Sequence, residues 1–151
     1  MIHDVVFASL CIGISNSVKR AIEHMTVPAL MLSGSSDCMV PADRAVPIYS
    51  DMPDTICKFW GDITNGTHCH FADIPFLDPT CYNVEESFCP DSNRSIVARD
   101  TQLDLVVEYL TTFLSASMGG ENDAYNTLAK QLEENLEKGL MTTFNSSLGC
   151  L

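Results

Sequence analysis

Basic residues are scarce: 8 Lys and Arg stand against 20 Asp and Glu, a formal net charge of −12. A surface that tracks a nucleic-acid backbone needs clustered cations to displace counterions, so no nucleic-acid partner is expected. Long apolar runs are also missing. Nothing approaches the ~20 consecutive apolar residues of a membrane-spanning helix, which predicts a soluble chain without a membrane partner. The opening stretch MIHDVVFASLCIGIS is apolar, but no basic region precedes it and Asp4 lies within it. It therefore reads as a strand rather than a secretory signal. Internal repeats are absent as well.

What is present is the composition of one globular domain: 151 residues, 46% apolar and 19% charged. Cysteine use is heavy, at seven. Cys69, Cys81 and Cys89 lie in a polar, proline-dotted segment that offers thiols little apolar packing, which points to disulfides and a secreted or extracellular chain. Reduced thiols in a cytoplasmic protein are the alternative, since the cysteine total is odd. The triplets at Asn65, Asn93 and Asn145 match the N-glycosylation pattern without deciding between the two. Pairing is expected within the group Cys38, Cys69, Cys81 and Cys89, with connectivity open. Cys11 and Cys57 fall in strand-like segments and are expected to be buried thiols; Cys150 is free or intermolecular.

The order of elements follows from periodicity. Residues 4 to 11 form an apolar, β-prone run, and Asn16 or Ser17 can cap a brief helical turn before Pro28. The run from Ala29 to Leu32 has no polar alternation, as in a strand buried on both faces of a parallel sheet. Pro41 is placed to begin a helix carrying Ala45, Ile48, Tyr49 and Met52, with Pro47 in its first turn or kinking it. TICKFWGDI then reads as a further strand, which completes a βαβ unit. Residues 74 to 95, rich in Pro, Asp, Asn, Ser and Cys, read as an irregular excursion. From about Ile96 a helix is expected with Leu103, Val106, Val107, Leu110 and Leu114 on one stripe. After Gly119 and Gly120, residues 121 to 139 predict an amphipathic helix with Tyr125, Leu128, Leu132 and Leu136 on one face, packing on the domain or on a partner.

In open α/β sheets, ligands bind beyond the carboxyl ends of the strands. Asp37 stands just past the first strand of the βαβ unit, in SGSSD. His68 stands just past the second, in NGTHCHFAD. An aspartate bonded to one imidazole nitrogen fixes the tautomer and stabilises the imidazolium formed when the other nitrogen takes a proton. The pair is thus a candidate acid and base. Two other readings stay open: His68, Cys69, His70 and Asp73 as zinc ligands, although no second ligand cluster is available to close a tetrahedral site, or Asp37 and His68 as ordinary loop residues of a noncatalytic, partner-binding α/β module.

The strings VPALMLSGSSDCMVP and NGTHCHFAD resemble the C-terminal half of an α/β-hydrolase, of the branch that includes dienelactone-hydrolase-like and cutinase-like polyester hydrolases. The resemblance covers about residues 4 to 117. It implies Asp37 as triad acid, His68 as triad base, no cofactor or metal, and an ester or polyester substrate for the intact parent. It implies a partial α/β-hydrolase fold, about three parallel strands with flanking helices in residues 1–118; the helical periodicity beyond it makes residues 119–151 a helical extension. The family's Gly-x-Ser-x-Gly elbow is missing. The nearest string, GISNS, would make Ser15 the nucleophile but ends in Ser; Ser33, Ser35 and Ser36 read as turn residues. The chain is therefore expected to be a fragment with little esterase activity of its own. If residues 4 to 11 form the first strand, its outer edge is left to pair with a second copy.

Overall fold

In a computed structural model, described over residues 16–71, 78–89, 94–119 and 122–147, β1 (Ala29–Gly34) and β2 (Lys58–Ile63) are buried along their whole length. They run parallel, in register from Ala29 opposite Lys58 to Gly34 opposite Ile63. Their side chains alternate between two cores. Leu30, Leu32, Phe59 and Ile63 enter one apolar cluster, whereas Ala29, Met31 and Trp60 enter another. Burial on both faces is why neither strand shows polar alternation.

One face is covered by α1 (Asn16–Glu23) and α2 (Ala42–Asp51), which bring Ile22, Ala45 and Ile48 to the cluster of Ala29, Met31 and Trp60. Pro41 stands at the N-cap of α2 and Pro47 lies inside the helix, giving up the bond an N–H there would donate to the carbonyl of Asp43. Buried Lys58 caps the end of this crossover: its Nζ donates to the carbonyls of Met52 at 2.7 Å and Tyr49 at 3.2 Å and pairs with Asp54 at 2.9 Å. A cation among the last carbonyls of a helix satisfies both their hydrogen bonds and the helix dipole.

The opposite face is covered by α4 (Arg99–Gly119) and α5 (Asn122–Glu137). The expected stripe of α4 is rotated. Leu105, Val106, Tyr109, Phe113 and Ala116 are buried, while Val107 is 56% exposed. An all-aliphatic template passes over Tyr109 and Phe113, the side chains that fill this core; Phe113 meets Phe59 edge-on at 6.4 Å. Edge-to-face geometry suits the ring quadrupoles. On α5, Leu128 and Leu132 are fully buried, as the amphipathic pattern predicts, and Leu136 is 40% exposed.

Two expectations need correction. The third described strand is not parallel: β3 (Met141–Ser146) pairs antiparallel with β2, giving the order β1-β2-β3. It comes from the tail read as helical, whereas residues 4 to 11 lie outside the described residues, and with them the strand and dimer-forming edge expected there. Only Met141 of β3 is fully buried, so the strand carries no apolar run to announce it. Second, the expected irregular excursion contains a helix, α3 (Asp78–Phe88).

The chain enters β3 through Gly139 (φ 72°). The N–H of Leu140 donates to the carbonyl of Asn135 and that of Gly139 to Leu136, the paired bonds of a glycine helix stop. Met141, Leu128 and Leu132 share a cluster with Leu30, Phe59 and Tyr109, so residues on both sides of the expected 118/119 boundary build one core. Among the described residues no helix is long and apolar enough to cross a membrane.

Candidate active site

Two glycines bring the strand tips together. A Cβ on Gly34 would lie 2.4 Å from the carbonyl carbon and oxygen of Gly66, so the two loops touch backbone to backbone only because neither has a side chain there. The contact is stitched by hydrogen bonds: Ser35 N–H donates to the Ile63 carbonyl at 3.0 Å, Ser36 N–H to the Gly66 carbonyl at 2.9 Å, and Asn65 N–H to Ser35 Oγ at 2.8 Å. Asn65 takes a left-handed conformation (φ 57°), which asparagine tolerates better than most residues.

From these tips the two predicted residues converge. Asp37 Oδ1 accepts the N–H groups of Met39 and Val40 at 2.9 and 2.7 Å, an aspartate turn that fixes the carboxylate. Its other oxygen, Oδ2, lies 3.0 Å from His68 Nδ1. The Asp37 side chain is 3% exposed and that of His68 is 16% exposed. An ionised carboxylate can only accept, so Nδ1 carries the proton and Nε2 is the basic nitrogen. The bond to Asp37 raises the His68 pKa above the usual 6.5, against the opposing effect of burial, with the charges of Asp37 and Glu85 adding to the rise.

A raised histidine pKa stabilises the fold fully below the unfolded value of 6.5 and ceases to do so as pH climbs through the folded value. The stability difference between the wild type and His68→Gln is therefore expected to be larger at about pH 5.5 than at about pH 8.5. Urea titrations of both proteins at the two pH values check it, and an equal difference would contradict the ion pair.

The turn that carries His68 is held from three sides. Glu85 of α3, fully buried, accepts the N–H of His68 at 3.0 Å and that of Cys69 at 3.2 Å. Gln102 of α4, also fully buried, accepts the Thr67 N–H at 3.0 Å through Oε1 and donates from Nε2 to the Thr67 carbonyl at 2.9 Å. Arg94 pairs with Glu85 at 3.1 Å and Glu86 at 2.8 Å, and it donates to the Ser36 carbonyl in the acid loop. Disulfides Cys38–Cys89 and Cys69–Cys81 complete the frame.

Beneath the pair lies a second acid. Ser33 Oγ donates to Asp62 Oδ1 at 2.7 Å and accepts from Trp60 Nε1 at 3.0 Å. Burial raises the Asp62 pKa and the nearby charge of Asp37 adds to it, while the Ser33 bond works the other way.

The structure thus brings Asp37 and His68 together and distributes the other candidates. Ser35 and Ser36 bond within the loops, as turn residues do, Ser36 donating to the Ser95 carbonyl at 2.8 Å; Ser33, also expected in the turn, is instead buried in β1 and bonded to Asp62 of β2; Ser15 lies outside the described residues. The cysteine pairs fall within the expected group, but Cys57 is disulfide-bonded rather than a free thiol. Cys69, consumed in its disulfide, offers no thiolate to a metal, and Asp73 lies outside the described residues. His70 stacks on Tyr82 with ring centroids 6.5 Å apart. Glu85, Arg94 and Gln102 carry no sequence motif, because each acts on backbone groups or on another charged side chain. No protein-family model matches the chain, and no curated protein matches it.

Proposed function

We propose that Asp37 and His68 are the acid and base of a Ser-His-Asp triad, and that this chain is the C-terminal portion of an extracellular α/β-hydrolase acting on carboxylic esters, small or polymeric. One observation carries the reading: a buried carboxylate bonded at 3.0 Å to the Nδ1 of a histidine, the two delivered by the carboxyl ends of neighbouring parallel strands. In such a site Nε2 of His68 takes the proton from a serine hydroxyl as it attacks the ester carbonyl, then returns it to the leaving alcohol, while Asp37 stabilises the imidazolium between the two steps. The 151 residues hold no Gly-x-Ser-x-Gly string, so the serine and the donors for the oxyanion belong to another part of the parent. Disulfides that persist in oxidising compartments support the extracellular assignment.

A serine-reactive phosphonate tests the proposal. The chain alone is expected to take up no label and to leave p-nitrophenyl esters intact. Restoring the upstream coding sequence is expected to supply one labelled serine in an elbow. Stoichiometric labelling of the 151-residue chain, or an upstream sequence without an elbow, would overturn it.

A further inference from the structure

We propose that Glu85 is a positioning residue for His68: its carboxylate, clamped between the base's own backbone and Arg94, sets where the imidazole stands relative to Asp37. The inference rests on the acid-base pair proposed above. Burying a carboxylate at 0% exposure is costly unless it is paired and bonded, and here both oxygens are used on the turn that carries the base. Oε1 accepts the His68 N–H and Oε2 the Cys69 N–H. A bidentate carboxylate grips two successive N–H groups and so fixes the orientation of that peptide as well as its position.

The countercharge reaches the other half of the pair. Arg94 Nη1 binds Glu85 Oε1 at 3.1 Å and also donates to the carbonyl of Ser36, the residue before Asp37. One buried ion pair therefore touches both loops, on the base side through Glu85 and on the acid side through Arg94. The disulfides repeat the pattern covalently: Cys38, next to Asp37, is bonded to Cys89 just past the end of α3, and Cys69, next to His68, to Cys81 near its start. Glu85 sits between these anchors. A stabilising ion pair alone has no need to bond the backbone of the base and to be braced against the loop of the acid.

The test reads the histidine rather than turnover. Among the described residues, the charged groups facing His68 include Asp37 from the acid loop and Glu85 from α3, with Arg94 behind Glu85. In ¹⁵N-labelled 151-residue chain, the wild type is expected to show a downfield His68 Nδ1–H proton. Glu85→Gln, with disulfides formed and helical dichroism unchanged, is expected to lose that signal and to titrate His68 at lower pH. A folded Glu85→Gln chain with the signal and midpoint of the wild type overturns the proposal.

Glu85→Asp serves as the second variant. It keeps the charge for Arg94 but withdraws the oxygens by one methylene, and is expected to weaken the signal while moving the midpoint less. An unweakened signal overturns the proposal, and so does failure of both variants to fold, which assigns Glu85 to folding alone. Absence of the signal from the wild type defeats the acid-base reading itself, and this inference with it.

Discussion

Replacing Cys38 and Cys89 by alanine is expected to lower folding stability by about 4 kcal/mol, and replacing Cys69 and Cys81 by about 3 kcal/mol. The sizes follow from the chain each bond closes, 51 and 12 residues apart in sequence; a longer loop loses more conformational freedom when tied. Both bonds hold α3, so the two losses overlap and the quadruple variant should fall short of their sum. Because a domain is typically stable by only ~5–15 kcal/mol, even the partial loss leaves a chain close to unfolding at ambient temperature. Alanine pairs are preferable to a reductant, which would also break the disulfide at Cys57. Trp60, the only tryptophan and 6% exposed in the sheet, reports the transition by fluorescence in urea. A loss under about 1 kcal/mol for either pair would contradict the expectation.

Gly34→Ala is expected to destabilise by about 3 kcal/mol or more, at or above the upper end for overpacking. The added methyl group would meet the carbonyl of Gly66 at 2.4 Å. That obstacle is backbone, in a loop fixed by its own hydrogen bonds, and it cannot swing aside. The tips must part, and the 3.0 Å bond between His68 and Asp37 lengthens with them. Gly61→Ala supplies the contrast. Its methyl group would meet Met141 Cε at 2.5 Å, the far end of a flexible side chain, so the cost should be markedly smaller. Urea midpoints of the two variants decide the matter: Gly34→Ala as stable as the wild type, or Gly61→Ala the worse of the two, would refute the account.

The features legible in the sequence are those that repeat or punctuate. The start of β1 is an unbroken apolar run and β2 a β-prone stretch around Phe59 and Trp60, and Pro41 marks the start of α2. Asp37 and His68 could be found because each follows such a run, and the structure brings them within hydrogen-bonding distance. The illegible parts have particular causes. The residue that α3 buries completely among those described is a carboxylate, Glu85, so it shows no apolar stripe; the Asp78-Pro79 pair at its start was the available signal. Arg94 lies in a polar segment and acts by reaching across to other loops. The strand β3 is short and half solvated, and its place beside β2 depends on a turn at Gly139 whose effect is visible only in three dimensions. Cys57, just before β2, reads as a core thiol because burial and disulfide bonding leave the same trace in an apolar stretch.

The antiparallel partner of the base-bearing strand also fixes an order of events. β2 meets β1 across a short crossover, but Phe59 finds Ser146 and Gly61 finds Phe144 only after α3, α4 and α5 have been made. Distant pairings of this kind close large loops and slow the search. On a ribosome, the far side of β2 stays open until β3, beyond α5, has emerged, and the turn bearing His68 hangs from that half-completed strand. The base should therefore be among the last groups in the chain to reach its final setting.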